Sequence, residues 1–271
     1  MNATTNATPN STNSTTNSTT NSTTSSTATG TTGRRHVTVT TSWDDGHVLD
    51  SRLAALLERH RLPGTFYIAP RNHELAPVER LPAAGIRELA ERFEIGGHTL
   101  THQRLPRLTD ADAAGEIRAG REELESVIGR PVTSFCYPRG EYAARHLPLV
   151  DRAGFTLART VRRGRLRPGR ALELATTVNA YAHRVDGPSA VRLARGRPRK
   201  AARLFLAWDE LAVHWFERCL SEGGVYHLWG HSWEVDARGD WARLERVLAH
   251  IADRPQVAYR TNGELLDLAA R

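Results

Sequence analysis

Apolar positions along this chain follow two periods in turn, short β-branched runs and then longer stretches with helical spacing. Val37 to Trp43 is β-branched and ends at Asp44-Asp45-Gly46, which predicts a strand running into a turn. Leu49, Leu53, Leu56 and Leu57 recur at helical spacing, and Pro63-Gly64 stops that helix. Thr65 to Ile68 reads as a short apolar strand, Ile86 to Phe93 as a helix, and a brief strand ends at Gly96-Gly97. Thr109 and Asp112 resemble a capping box on a long helix whose apolar face runs through Ile117, Leu124 and Ile128. Val132 to Tyr137 is the next strand, broken by Pro138 and Gly140. A helix over Ala143 to Ala153 then leads to a strand at Phe155 to Ala158.

Val161 to Arg203 has the weakest periodicity, with one strand near Leu172 to Val178 and a basic excursion. Beyond it the pattern predicts a helix around Asp209 to Leu220, a strand at Val225 to Trp229 and a helix at Trp241 to Ile251. A last strand and helix fall around Val257 to Leu268. Short strands alternating with helices imply a parallel sheet, so the fold class is α/β, and seven or eight such units suggest a (β/α) barrel.

Composition separates the first 33 residues from the rest. Residues 1–33 are almost entirely Asn, Ser and Thr without one charged side chain, and a segment that buries no apolar surface cannot offset its ordering entropy. They are expected to form a disordered tail, and they lack the charged and apolar regions of a secretory signal. Residues 34–271 are the expected catalytic domain, of a size that fits one barrel. All 37 basic residues lie there against 30 acids, an excess that suits anionic partners such as phospho-sugars or acidic glycans. The arginines are spread along the chain and no nucleic-acid reader motif is present, so nucleic acid is not an expected partner. No apolar run approaches the roughly 20 residues that span a bilayer. With two unpaired-looking cysteines, Cys136 and Cys219, this points to a cytoplasmic location.

Three polar clusters each follow a predicted strand, the end of an α/β barrel where active sites form. They are Asp44-Asp45-Gly46, His98 to His102, and His227 to His231. If Gly97 to His102 opens a helical turn, the imidazoles of His98 and His102 face one way and can share a metal ion. One of the two adjacent carboxylates could complete a two-histidine, one-aspartate set while the other stays free. A plain turn at Asp-Asp-Gly is the competing reading.

Thr41-Ser42-Trp43-Asp44-Asp45-Gly46 resembles the first motif of the polysaccharide deacetylase family, the NodB-homology domain of carbohydrate esterase family 4. His98 to His102 matches its H-[S/T]-x-x-H motif, Leu228 to His231 its L-x-x-H motif, and Phe135 to Gly140 resembles its third, R-x-P-Y-G. The four occur in the family's order. The resemblance implies a distorted (β/α) barrel of the NodB type that hydrolyses an N-acyl, usually N-acetyl, group on an amino-sugar or polysaccharide substrate. It implies a divalent metal, most often zinc with cobalt as a substitute, held by Asp45, His98 and His102. Asp44 would be the general base, His231 the general acid, Leu228 the wall for the acyl methyl, and the backbone N–H of Arg139 an oxyanion donor.

The chemistry fits that division. Amide carbonyls are poor electrophiles and water a poor nucleophile, and a divalent metal improves both. The amine must leave neutral, which calls for an acid near neutral pH. Two departures stand out: Cys136 occupies the position of the third motif's arginine, and the fourth motif has no clear match. Ala180 to Arg184, with His183, is the place to look for a substitute, and Tyr137, Trp233 and Glu234 are expected at the substrate cleft. The rival readings are a related cyclic-amide hydrolase of the allantoin type and a non-catalytic carbohydrate-binding relative. The second would be expected to have lost one of Asp44, Asp45, His98, His102 and His231, and all five are present.

Overall fold

The computed structural model describes residues 36–269, and the expected tail of residues 1–33 lies outside the described residues. Among the described residues eight strands form one sheet: β1 (Val37–Asp45), β2 (Thr65–Ile68), β3 (Glu94–Gly97), β4 (Ser134–Cys136), β5 (Leu157–Arg159), β6 (Val178–Asn179), β7 (Gly224–Gly230) and β8 (Val257–Tyr259). All pairings between them are parallel, in the order β5-β4-β3-β2-β1-β7-β6. β7 pairs with one edge of β1 from Val37 to Trp43. β2 and β8 divide the other, at Ser42 to Asp45 and Val37 to Val39. All nine residues of β1 are buried, as a central parallel strand covered on both faces requires.

The helices are α1 (Asp50–Arg59), α2 (Ala83–Ala90), α3 (Asp110–Ile128), α4 (Leu147–Arg152), α5 (Gly187–Ala194), α6 (Pro198–Leu206), α7 (Trp208–Glu222), α8 (Ser232–Ala237) and α9 (Trp241–Ile251). Their apolar stripes meet the outer face of the sheet in one core. Leu53, Leu56 and Leu57 of α1 and Ile117 and Leu124 of α3 join it, and Leu244, Val247, Leu248 and Ile251 of α9 do the same from the far end of the chain. Thr109 Oγ1 accepts the N–H of Asp112 at 3.2 Å, which caps α3. The sheet curls so far that Leu174 bridges to Arg159 of β5 while Thr177 N–H donates to the His227 carbonyl in β7. The segment between them nearly closes a distorted (β/α) barrel.

Three local expectations change. The strand near Leu172 to Val178 is a 3-10 turn, Ala171–Glu173, followed by an irregular crossing and a two-residue β6. The basic excursion contains α5 and α6, whose arginines interrupt the apolar run without breaking the helices. The helix expected over Ala143 to Ala153 is split, with a 3-10 turn at Ala144–His146 and then α4. Pro148 lies in the first turn of α4, where its missing N–H costs no helical bond. Among the described residues no helix is long and apolar enough to cross a membrane.

Candidate metal and catalytic centre

The C-terminal ends of β1, β3, β4 and β7 open onto a cleft of about 330 Å³, lined among others by Asp44, Asp45, Glu74, His98, His102, His231, Trp233 and Glu234. β1 delivers two carboxylates because its chain turns sharply as it leaves the sheet. Asp45 has φ 88° and Gly46 φ 73°, and a Cβ on Gly46 would lie 2.7 Å from Ile68. A positive φ at a non-glycine residue is costly, and such strain concentrates at functional sites.

His98 and His102 do not lie on a helical turn. Thr99 (φ 63°) and His102 (φ 64°) are left-handed, and this loop geometry brings the two rings together, with centroids 4.8 Å apart. Thr99 Oγ1 accepts the N–H of His102 at 3.1 Å. α3 braces the loop from outside. Glu116 takes the N–H and the hydroxyl of Thr101, each at 2.9 Å, and Gly120 lets the helix approach so closely that a Cβ there would lie 2.5 Å from the Thr99 carbonyl carbon.

The outcome is a convergence on one atom. His102 Nε2 lies 3.2 Å and His98 Nε2 3.7 Å from Asp45 Oδ1, and that buried oxygen has no hydrogen-bond partner among the described residues. One donor atom from each of Asp45, His98 and His102 falls within 4.8 Å of the others. His98 donates its Nδ1 proton to the Cys136 carbonyl at 2.7 Å, which leaves the Nε2 lone pair facing Asp45. His102 Nδ1 lies 3.3 Å from Glu74 Oε2, and Trp233 Nε1 donates to Asp45 Oδ2 at 2.9 Å. Two neutral imidazoles, one carboxylate with an unshared buried oxygen, and carboxylate or carbonyl partners behind them fit a divalent cation.

Electrostatics point the same way. Burial, reinforced by neighbouring His102, pushes His98 down to about 3 and keeps it neutral, and burial lowers His102 as well. Burial alone would raise Asp45, but His231, His102 and His98 hold it below the usual aspartate value. Burial, with Asp45 beside it, lifts Asp44 to about 7. For His231 burial opposes protonation, but Asp45, Glu234 and Asp44 outweigh it and raise the ring to about 9.

The remaining expected residues divide. Asp44 is buried on the cleft wall, with Oδ1 unpartnered among the described residues and Oδ2 accepting the Cys136 thiol at 3.3 Å. His231 Nδ1 lies 2.9 Å from Glu234 Oε2, while its Nε2 faces Asp45 Oδ2 at 3.8 Å. Trp233 and His183 line the cleft, and so does Arg139, at φ 57° with its guanidinium on Glu74. Tyr137 and Leu228 are not on its wall. Tyr137 is buried against Tyr142 with its hydroxyl on the Leu172 carbonyl. Leu228 faces the core because residues alternate along β7, and its neighbour Trp229 takes the cleft side.

Sequence reasoning misses Glu74, which sits in an irregular loop with no pattern to mark it. It also misses Arg159, a fully buried guanidinium paired in register with Cys136. Where the family's fourth motif has no counterpart, Tyr181 stacks on His231 with ring centroids 6.0 Å apart, and Glu234 holds the ring's far nitrogen.

A curled parallel sheet whose strand ends gather two carboxylates and three histidines around one cleft makes an α/β barrel with its candidate site at the end where such barrels carry active sites. The sequence model of the polysaccharide deacetylase family matches residues 29–158 of this chain. No curated protein sequence matches the chain. Its fold is that of a Mycobacterium smegmatis protein assigned as a polysaccharide deacetylase (TM-score 0.63, 18% identity, 86% of this chain and 90% of that one). It is also that of the chitin deacetylase from the fungal pathogen Colletotrichum lindemuthianum (TM-score 0.54, 18% identity, 86% and 88%). Against a Streptococcus pyogenes deacetylase in complex with acetate, half of this chain aligns (TM-score 0.45, 16% identity) and spans 62% of that protein's length.

Proposed function

We propose that the protein is a metal-dependent hydrolase that removes N-acyl, chiefly N-acetyl, groups from an amino-sugar or polysaccharide substrate, with residues 34–271 as its catalytic domain. The observation that carries this reading is Asp45 Oδ1, buried, without a hydrogen-bond partner among the described residues and flanked by the Nε2 atoms of His98 and His102 at 3.7 and 3.2 Å. Asp44 and His231 lie beside it in the same cleft. The donor set suits zinc, with cobalt as a substitute. A divalent cation held by Asp45, His98 and His102 would polarise the acyl carbonyl and acidify the attacking water.

The chain's own groups do the proton work. Asp44 presents the unpartnered Oδ1 to take the proton of the attacking water, while the Cys136 thiol holds Oδ2 and fixes the carboxylate's rotation. His231, anchored at Nδ1 by Glu234, carries an Nε2 proton to the leaving nitrogen as the C–N bond breaks. Trp233 donates to Asp45 and forms the adjoining wall, tilted against His231 at 5.4 Å between centroids, a surface suited to a sugar face. Incubation of the zinc-loaded protein with a panel of N-acetylated glycans tests the reading. Zinc-dependent acetate release from at least one supports it, and no release from any member opposes it.

A further inference from the structure

A second cavity, of about 630 Å³, adjoins the catalytic cleft and shares Arg139, Val161, Arg163 and His183 with it. Beyond that shared wall it is lined by Arg165, Pro188, Ser189 and Arg192, and among the described residues no carboxylate contributes to it. Among the described residues, Arg139 alone of its four arginines has an ion-pair partner, Glu74.

Arg163 stands between the two cavities with its guanidinium 5.7 Å from the Trp229 ring centroid. Its Nε and Nη1 are shielded from solvent and hydrogen-bonded to nothing among the described residues. A guanidinium without a partner for its shielded N–H groups bears a desolvation cost that an anion would relieve. Arg192 lies over Trp215 at 5.0 Å and donates to the Gly164 carbonyl at 2.9 Å, so it is held in place next to the cavity. Burial lowers Arg192, and the like charges of Arg218 and Arg165 lower it further. Burial lowers His183, with Arg163 adding to the effect. Arg192 is thus repelled by both Arg165 and Arg218 in the folded protein.

We propose that Arg163, Arg165 and Arg192 form an anion subsite that holds a phosphoryl group on the same amino sugar whose N-acyl group enters the catalytic cleft. This rests on the N-deacetylase reading of that cleft. The common wall means that one ligand can occupy both cavities. Three guanidinium groups exceed what a single carboxylate would satisfy, whereas a phosphate carries close to two charges and accepts bidentate arginine contacts. The first turn of α5, with Ser189, adds donors at the positive end of a helix.

The test is titration calorimetry on the zinc-loaded full chain with N-acetylglucosamine, its 6-phosphate, a nucleotide-linked diphosphate sugar and a single-stranded oligonucleotide. At least one phosphorylated sugar is expected to bind about tenfold or more tightly than the neutral one. A stronger 6-phosphate signal marks a free sugar phosphate as the source, and a stronger diphosphate signal a nucleotide- or lipid-linked sugar. The preference is expected to fall to about unity in an Arg165→Gln/Arg192→Gln double variant, which changes two exposed side chains, and to drop in Arg163→Gln. Equal binding of neutral and phosphorylated sugars overturns the proposal, and so does a preference that survives the double variant or vanishes only on metal removal. Tighter binding of the oligonucleotide, lost in the same variant, replaces it with a nucleic-acid surface. A preference that persists while none of the three sugars releases acetate leaves the subsite standing and sinks the deacetylase reading alone.

Discussion

His231 Nδ1 lies 2.9 Å from Glu234 Oε2, three residues further along the chain, and this pairing turns Nε2 toward Asp45 across the cleft. In the proposed reaction this holds the ring as a proton donor facing the cleft, with its far nitrogen already occupied. His231→Ala is expected to retain bound metal and to slow amide hydrolysis by roughly 10²–10⁴, the usual contribution of a positioned acid. An activated ester, whose leaving group needs no proton, is expected to suffer far less. Equal losses on the two substrates would remove His231 from the acid's role.

Asp44 and Asp45 are adjacent but occupy different surroundings, one beside a thiol and the other beside three imidazoles. Asp44→Asn is expected to keep the metal content of the wild type and to lower kcat by roughly 10²–10⁴. Metal analysis alongside the kinetics checks this, since loss of metal together with activity would mean that the two aspartates exchange roles.

Gly120 and Gly115 sit in the same helix with opposite surroundings. A Cβ at Gly120 meets the Thr99 backbone at 2.5 Å, and one at Gly115 meets nothing within 4 Å. Alanine is the better helix former by about 1 kcal/mol, so Gly115→Ala is expected to raise Tm slightly. Gly120→Ala is expected to lower both Tm and metal affinity, because the clash displaces the loop between His98 and His102. Parallel thermal melts and metal titrations decide it, and similar behaviour of the two variants would contradict the bracing role of α3.

Asp50 is fully buried under the site, with Oδ1 accepting the Ser232 hydroxyl at 2.5 Å and Oδ2 unpartnered among the described residues. Burial raises its carboxyl to about 8, far above the value of about 3.9 in an unfolded chain. The native state thus keeps a proton that the unfolded state releases. Its contribution to stability is complete below about pH 4 and is lost as pH rises through about 8. Asp50→Asn removes this dependence, so its stability relative to wild type should rise between pH 5 and 8, by at most about 1.4 kcal/mol per pH unit. Denaturant unfolding across that range tests it, and a constant difference would count against a protonated Asp50.

The strands carrying the site are legible in the sequence because each is a short β-branched or apolar run ended by Gly or Pro, as at Val37 to Gly46 and Val225 to Gly230. Asp44, Asp45, His98, His102 and His231 are legible as motif residues. Their geometry is not, because the left-handed backbone at Asp45, Thr99 and His102 runs against residue preference and is imposed by tertiary packing, Gly120 among its causes. Glu74 reaches the site through a loop, and Arg159 is placed beside Cys136 by a strand register, neither of which local spacing encodes. The expectation for Leu228 fails on alternation, since one step along β7 exchanges core and cleft. α5 and α6 are hidden because both are short and Pro188, Gly196 and Pro198 read as breaks in the pattern.

Asp45, His98 and His102 are proposed to hold a metal on which hydrolysis depends, and metal content set against acetate release tests this most directly. Wild type is expected to carry about one divalent ion per chain and to release acetate. His98→Ala and His102→Ala are expected to remain folded and to lose both the ion and the acetate release. Equal metal occupancy in all three proteins would contradict the account.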